Sequence, residues 1–336
     1  MGTFIVAEIS ANHCNNLGIA LDTMKAAKEA GADAVKIQTY TADSMTIDCD
    51  NENFIIKEGL WKGKKLYDLY SEASLPYEWH KVMFDYAKEL GIVLFSSPFD
   101  IEAVDFLETF NCPIYKIASF EITNIPLIKY IASKRKPIFI STGIASKRMI
   151  IDALRSLGIY DLTKATLLKC TSEYPSCIKD ANLLNMVEMK KEFNINVGLS
   201  DHTLGNTVAI AAATLGATVI EKHFILSSDY NSPDASFSME PNEFKMMVEK
   251  IRAAEMALGS KEFNITEHMI KQRYFSKSIY ITEDVKKGDI ISKENIGVIR
   301  PGNGIEPKHY DFILGFKFKF NDNYKKGTPF YDDYIE

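Results

Sequence analysis

The sequence has few cysteines, and none are spaced as metal or redox motifs require. The five cysteines stand at unrelated positions without a Cys-x-x-Cys pair: Cys14, Cys49, Cys112, Cys170 and Cys177. This pattern excludes zinc ribbons and argues against a disulfide framework. We therefore expect reduced thiols, and we expect Cys170, inside a predicted strand, to act as a small hydrophobic residue.

The sequence also lacks an excess of positive charge and any long apolar run. Lys and Arg number 39 against 45 Asp and Glu, which leaves no basic surface of the kind that nucleic acid requires. No apolar run approaches the roughly 20 residues of a membrane span. We expect the opening segment to form a buried strand and not a signal peptide. We expect a cytoplasmic protein that binds neither nucleic acid nor a membrane.

Short runs of β-branched and aromatic residues alternate with segments of helical periodicity. The predicted strands are residues 4–10, 34–38, 92–97, 114–119, 137–142, 166–171, 196–200 and 218–224. The predicted helices are residues 19–30, 77–90, 101–110, 150–157, 183–193, 204–215 and 241–258. Eight strand-helix units predict an α/β fold of the (β/α)8 TIM-barrel type.

The pattern changes after Gly259. Residues 260–275 are polar and weakly helical, which suits a linker. Residues 276–336 contain short strands separated by Lys-Gly and Pro-Gly turns. The sequence therefore predicts a barrel domain at residues 1–259, a linker at 260–275 and a small β-rich domain at 276–336.

A histidine follows each of the last two predicted barrel strands. Because parallel strands end at the same face, His202 and His223 should meet there, flanked by Asp201 and Glu221. This arrangement suits a metal site or an acid/base pair. The alternative is two histidines that each bond a backbone carbonyl. Because both histidines stand at matching positions after neighbouring strands, we favour a metal site or an acid/base pair.

Three lysines, Lys36, Lys116 and Lys222, fall inside predicted strands. Burying them is costly unless anions accompany them, although a lone strand lysine often extends outward to solvent. Lys116 with Ser119, Ser141 and the following helix amino terminus could hold a phosphate or carboxylate.

A series of longer motifs runs along the chain: AEISANH, KIQTYTADS, FSSPFD, YKIASFE, STGIAS, KCTSEYP, GLSDHT and EKHF. In this order the motifs resemble those of the sialic acid synthase family, and the resemblance covers the whole chain. The segment VIRPGNGI resembles the antifreeze-like SAF domain of that family. SANH, PYEWH and SPDASFS are most similar to its pseudaminic acid branch.

The resemblance implies that phosphoenolpyruvate condenses with the open-chain aldehyde of an N-acetylated amino sugar, giving a nonulosonic acid and phosphate. For this branch the sugar is 2,4-diacetamido-2,4,6-trideoxy-L-altrose, and N-acetylneuraminate or legionaminate synthesis is the alternative. The resemblance also implies that His202 and His223 hold a divalent metal, typically Mn²⁺, with Mg²⁺ or Co²⁺ as alternatives.

The family pattern assigns further roles. Positions that hold the carboxylate and phosphate of phosphoenolpyruvate match Lys36, Lys116, Ser119, Ser141 and Ser200. Positions around the sugar match Gln38, Glu121, Tyr174 and Asp234. Glu8 matches the acid that orients or deprotonates the attacking water, and the alternative is a carboxylate paired with a lysine. Ser172 replaces an asparagine common in the sialate branch, which argues against N-acetylmannosamine as substrate.

Arg300 precedes a turn rich in proline and glycine that can present its side chain to a sugar. The linker is long enough for the small domain of one chain to cap the barrel of another, so we expect a domain-swapped homodimer. The alternative is a cap that folds back on its own barrel. Two other classes remain: a metal-dependent aldolase-type barrel and a non-catalytic sugar-binding protein.

Overall fold

The computed structural model describes residues 2–158 and 161–336. Met1, with which the predicted barrel domain begins, lies outside the described residues. The chain divides into two compact units, Met1–Gly259 and Ser260–Glu336.

Eight parallel strands close into a barrel in the first unit. They are β1 (Phe4–Glu8), β2 (Ala34–Thr39), β3 (Val93–Pro98), β4 (Tyr115–Ile117), β5 (Ile138–Ser141), β6 (Ala165–Cys170), β7 (Asn196–Asp201) and β8 (Val219–His223). Each strand pairs with the next, and β8 pairs with β1, so that Glu8 lies opposite His223. The predicted TIM barrel is confirmed.

Helices cover the outside of the barrel, as the alternating pattern predicted. They are α1 (Leu17–Glu29), α2 (Ala42–Met45), α3 (Leu66–Ala73), α4 (Trp79–Leu90), α5 (Ile101–Glu108), α6 (Ile125–Ser133), α7 (Lys147–Ser156), α8 (Leu184–Phe193), α9 (Thr207–Thr214) and α10 (Pro241–Leu258). Sequence periodicity missed α2, α3 and α6. The start of α6 is nevertheless well marked, because Asn124 accepts a hydrogen bond from the Leu127 amide (3.3 Å) and a proline follows in the first turn.

The strands are apolar along most of their length because both faces are covered. In β5 all four residues are buried. Gly198 in β7 is required by close packing, because a Cβ there would collide with the backbone carbonyl of Val219 in β8. No helix in the described part of the chain is long and apolar enough to cross a membrane.

The second unit is built around its own small core. It contains α11 (Glu267–Gln272), β9 (Ser278–Ile281), β10 (Ile296–Ile299) and α12 (Tyr310–Gly315). Strands β9 and β10 are antiparallel, and Ile279, Phe320 and Phe330 are fully buried. Residues 260–275, predicted as a linker, include α11 and cluster with this unit.

His80 on α4 is a fully buried histidine that belongs to the packing of the barrel wall. Its Nε2 accepts a hydrogen bond from the Thr39 hydroxyl (2.8 Å), and its Nδ1 faces the carbonyls of Pro76 and Tyr77 at 3.3 and 3.2 Å. Burial lowers the pKa of His80 to about 4, because the backbone hydrogen bonds oppose burial only in part. The folded state therefore holds this imidazole neutral.

This predicts an acid-sensitive contribution to stability. Below the ordinary histidine pKa of 6.5, His80 binds a proton in the unfolded chain but stays neutral in the folded chain. The free energy of unfolding therefore falls as the pH drops from about 6.5 toward 4. Between about pH 7 and about pH 5 the loss from this residue should be about 2 kcal/mol. Urea unfolding should show that His80→Gln removes this part of the pH dependence. The control is His268→Gln, at an exposed position. An unchanged pH dependence in His80→Gln would contradict the assignment.

Candidate functional site

Four charged side chains meet inside the barrel and form a buried charge cluster: Glu8, Lys36, Lys116 and Glu221. Lys36 Nζ lies 2.9 Å from Glu8 Oε2 and 2.9 Å from Glu221 Oε1. Lys116 Nζ lies 3.4 Å from the same oxygen of Glu221. None of these side chains is more than 4% exposed. The structure thus pairs the buried lysines with carboxylates, as their burial requires.

Glu221 joins the two lysines of the cluster. Burial would raise the pKa of its carboxyl group, but the charges of Lys116 and Lys36 outweigh burial and hold the pKa well below its usual range. Ser200 also donates a hydrogen bond to Oε1 (2.9 Å). Among the described residues, Oε2 has no hydrogen-bond partner.

The third predicted lysine is paired separately. Lys222 Nζ lies 2.7 Å from Asp201 Oδ2, and both side chains are almost completely buried. Asp201 Oδ1 accepts hydrogen bonds from the amide and hydroxyl of Thr203 (2.9 and 2.8 Å). This pair ties β8 to the end of β7, directly before His202.

Hydroxyl groups are available beside the lysines. Ser119, which follows β4, accepts a hydrogen bond from the Gly143 amide (3.1 Å). Ser141, the last residue of β5, has a buried hydroxyl with no partner among the described residues. An unpaired buried hydroxyl costs about 1–3 kcal/mol. Such a group is ready to bond a ligand.

The two predicted histidines are neighbours, with ring centroids 5.3 Å apart. His202 Nδ1 bonds the Thr171 carbonyl (2.9 Å), which makes Nε2 the acceptor nitrogen. In the described structure His223 Nδ1 is buried and makes no hydrogen bond. Burial, followed by the positive charge of His202 and of Lys36, lowers the pKa of His223 well below its usual value. His223 is thus a neutral imidazole.

The residues predicted to surround the sugar take up different positions. Tyr174 packs on His202 with ring centroids 4.3 Å apart. Asp234 Oδ2 lies 3.6 Å from His223 Nδ1, and Gln38 Nε2 donates a hydrogen bond to Glu8 Oε1 (3.2 Å). Burial, opposed by hydrogen bonds from Ser10 and Ala11, raises the pKa of Asp234.

Two predicted residues are not brought to the histidines or the charge cluster by any described contact. Glu121 lies in a 3₁₀ turn, where it accepts a hydrogen bond from the Asn124 side chain (3.0 Å). Arg300 is exposed in the second unit.

Sequence reasoning missed Cys170 as a site residue. Its Sγ lies 3.8 Å from His202 Nδ1. Burial would raise the pKa of the thiol, but the hydrogen bond and charge of His202 outweigh it and lower the pKa to about 7. Cys170 is buried, as expected for a small hydrophobic residue, but it also contacts a predicted metal ligand. Nothing in its strand sequence signals that neighbour.

A divalent metal fits the two histidines. The adjacent rings and the unpartnered Nδ1 of His223 are what a metal site needs before metal binds. Within residues 2–158 and 161–336, no group of three or more His, Cys, Asp or Glu side chains is arranged to hold a metal. The chain therefore offers two imidazoles and leaves the other coordination positions to water or substrate.

These features define the class of protein: an enzyme built on a TIM barrel, with a buried cluster of lysines and carboxylates near two imidazoles. The chain belongs to the NeuB family, whose model matches residues 23–263. This confirms the predicted membership of the sialic acid synthase family.

Two curated relatives and one solved structure resemble almost the whole chain. The pseudaminic acid synthase of Campylobacter jejuni is 47% identical over 328 residues, which cover 96% of each chain. That of Helicobacter pylori is 47% identical over 99% of this chain and 97% of the relative. The crystal structure of an N-acetylneuraminic acid synthetase from Leptospira borgpetersenii gives a TM-score of 0.72 and 26% identity, covering 81% of this chain and 90% of that one.

Removing the charge of Glu221 should destabilise the protein. In Glu221→Gln, Lys36 would keep its ion pair with Glu8, but Lys116 would lose its described ion pair, and an uncompensated buried charge costs about 3–5 kcal/mol. We expect urea unfolding to show a loss of that size. The double variant Glu221→Gln, Lys116→Met should recover most of it without recovering activity. Equal unfolding midpoints for Glu221→Gln and the wild type would show that the cluster does not depend on this carboxylate.

Proposed function

We propose that the chain is a pseudaminic acid synthase. It condenses phosphoenolpyruvate with 2,4-diacetamido-2,4,6-trideoxy-L-altrose, giving a nonulosonic acid and phosphate. The observation that carries this proposal is the buried charge cluster near the histidine pair, in a chain 47% identical to pseudaminic acid synthases over nearly its full length. An N-acetylneuraminate or legionaminate synthase is the second candidate within the family.

Phosphoenolpyruvate is the substrate that the lysines suit. Its carboxylate and phosphate need cations and hydroxyl donors, which Lys36, Lys116, Ser119, Ser141 and Ser200 supply. Because the site is almost dry, these contacts are stronger than they would be in water. The lysines are already held in place by Glu8 and Glu221 before substrate arrives, so little reorganisation is required.

The sugar aldehyde belongs beside the histidines. His202 and His223 would hold a divalent cation, for which we propose Mn²⁺. Such a cation supplies Lewis acidity to an aldehyde oxygen. Tyr174 and Asp234 would position the sugar, since both contact the histidines.

Glu8 is the proposed acid/base group. It lies on β1 opposite His223, and its carboxylate contacts both Lys36 and Gln38. From there it can orient or deprotonate the water that attacks the oxocarbenium carbon derived from phosphoenolpyruvate.

Product analysis tests the proposal. Purified protein, Mn²⁺ and phosphoenolpyruvate are incubated with the diacetamido sugar or with N-acetylmannosamine, and phosphate release and product mass are measured. We expect the diacetamido sugar to be consumed much faster, and we expect a chelator or His223→Ala to abolish turnover. Equal specificity constants for the two sugars would contradict the branch assignment. Phosphate release that survives chelation would contradict the metal role.

The second unit is the proposed SAF-type cap. Its turn at residues 301–304 is fixed by Ser278, whose hydroxyl donates to the Pro301 carbonyl (2.7 Å) and accepts from the Gly304 amide (2.9 Å). Arg300 precedes this fixed turn and is exposed, so its guanidinium can reach a ligand. We propose that it contacts the sugar in the barrel of a second copy within a homodimer.

Mixing two inactive variants tests this arrangement. Arg300→Ala and His223→Ala are unfolded and refolded together, and heterodimers are confirmed with different affinity tags. If caps act in trans, one site of each heterodimer has both residues intact. In an even mixture half of the dimers are heterodimers, and each carries one intact site of two. Activity should therefore recover to about a quarter of wild type. No recovery in confirmed heterodimers would mean that each cap serves its own barrel.

We also propose a cytoplasmic location. All five cysteines are free thiols. This is what a reducing compartment maintains.

A further inference from the structure

Trp61 is outside every role assigned so far, yet it contacts two segments of the site. It lies in a loop closed by an antiparallel bridge between Ile55 and Lys65, which we call the Trp61 loop (residues 55–65). Lys65 anchors the loop through ion pairs with Asp48 and Asp50 (2.5 and 2.7 Å). The loop is therefore a defined structure, although it contains no helix.

The Trp61 ring stands against the sugar side of the site. Its ring centroid is 5.8 Å from that of Tyr174, which itself packs on His202 at 4.3 Å. The indole N–H donates a hydrogen bond to the Pro233 carbonyl (3.3 Å), next to Asp234. Because the N–H is occupied, the indole offers a ligand its ring face.

A cavity of about 750 Å³ lies along the same ring. Its lining includes the apolar Leu60 and Trp61, the polar Tyr230, Asn231 and Ser232, and the charged Lys64, Glu240 and Glu243. The apolar surface of Leu60 and Trp61, together with these polar groups, suits a group that has both a methyl and an amide. Asp234, two residues beyond Ser232, faces His223, so one loop borders both the cavity and the histidine pair.

The distance between the Trp61 ring and the His202 ring allows one ligand to reach both. The two ring-to-ring steps put Trp61 at most about 10 Å from the His202 ring. Three bonds join the aldehyde carbon to C4 of the sugar, a span of about 4 Å when extended, since bonds of about 1.5 Å advance by about 1.25 Å each. The acetamido group on C4 adds about 4 Å more toward the indole.

We propose that Trp61 is a specificity-determining residue, and that it packs against the acetamido group on C4, the one farther from the aldehyde. This rests on the proposed function, and it names the part of the substrate that the cavity takes. An acetamido sugar with a hydroxyl group at that position would leave the indole face without a partner.

Steady-state kinetics test the proposal with Trp61→Ala, Trp61→Phe and a control, Trp79→Phe, at the other tryptophan of the chain. Trp61→Ala should raise KM for the diacetamido sugar about tenfold or more, leave KM for phosphoenolpyruvate within about twofold, and reduce the preference over N-acetylmannosamine. Trp61→Phe should retain most of the preference, because it keeps an aromatic face. An unchanged sugar KM in Trp61→Ala, or equal losses for both substrates, would overturn the proposal.

A binding measurement separates this proposal from the proposed reaction. In Trp79→Phe, Trp61 is the only remaining tryptophan, so its fluorescence reports on the cavity without turnover. With phosphoenolpyruvate and a chelator present, the diacetamido sugar should change the emission, and N-acetylmannosamine should change it much less. An equal response to the two sugars, or no response to either, would overturn the role of Trp61. Failure of the wild type to release phosphate, with the fluorescence response intact, would overturn the reaction and not the contact.

Discussion

The site depends on pairing two buried lysines with carboxylates inside the barrel. Burying an ammonium group is costly, and burial lowers the pKa of Lys36 to about 7 even though the charge of Glu221 opposes the shift. Glu8 and Glu221 supply the compensating charge, and Ser200 adds a hydrogen bond to the oxygen that both lysines contact. This network fixes the cationic groups before any substrate arrives. It also explains why the barrel interior is polar where a purely structural barrel would hold branched aliphatic side chains.

The barrel was predictable from sequence because its strands are covered on both faces. Continuous apolar runs mark all eight strands, and the structure has a strand at every predicted position. Helices α2 and α3 are short and lie within one long connection, where periodicity has few residues to act on.

The site was predictable in part. Lysines inside strands, and histidines just after strands, are unusual enough to be noticed singly. The ion-pair partners of these residues are harder to predict, because pairing depends on strand register and on how the barrel closes. Glu221 was visible only as a neighbour of His223, whereas the structure makes it the hub between two lysines. The sequence did not indicate a role for Trp61. A tryptophan in a polar loop becomes a candidate only when the structure shows its contacts with Pro233 and Tyr174.

Strand β8 places three chemically different side chains in succession, and each has a partner of its own. Glu221 bonds the lysines of the cluster, Lys222 bonds Asp201, and His223 faces Asp234. A slip of one residue would put the ammonium group of Lys222 between Lys36 and Lys116 and leave Asp201 without a cation. Misaligned closure of the barrel would thus be opposed by repulsion among three like charges. The charged residues of the site therefore also help to specify the register in which β8 closes the barrel.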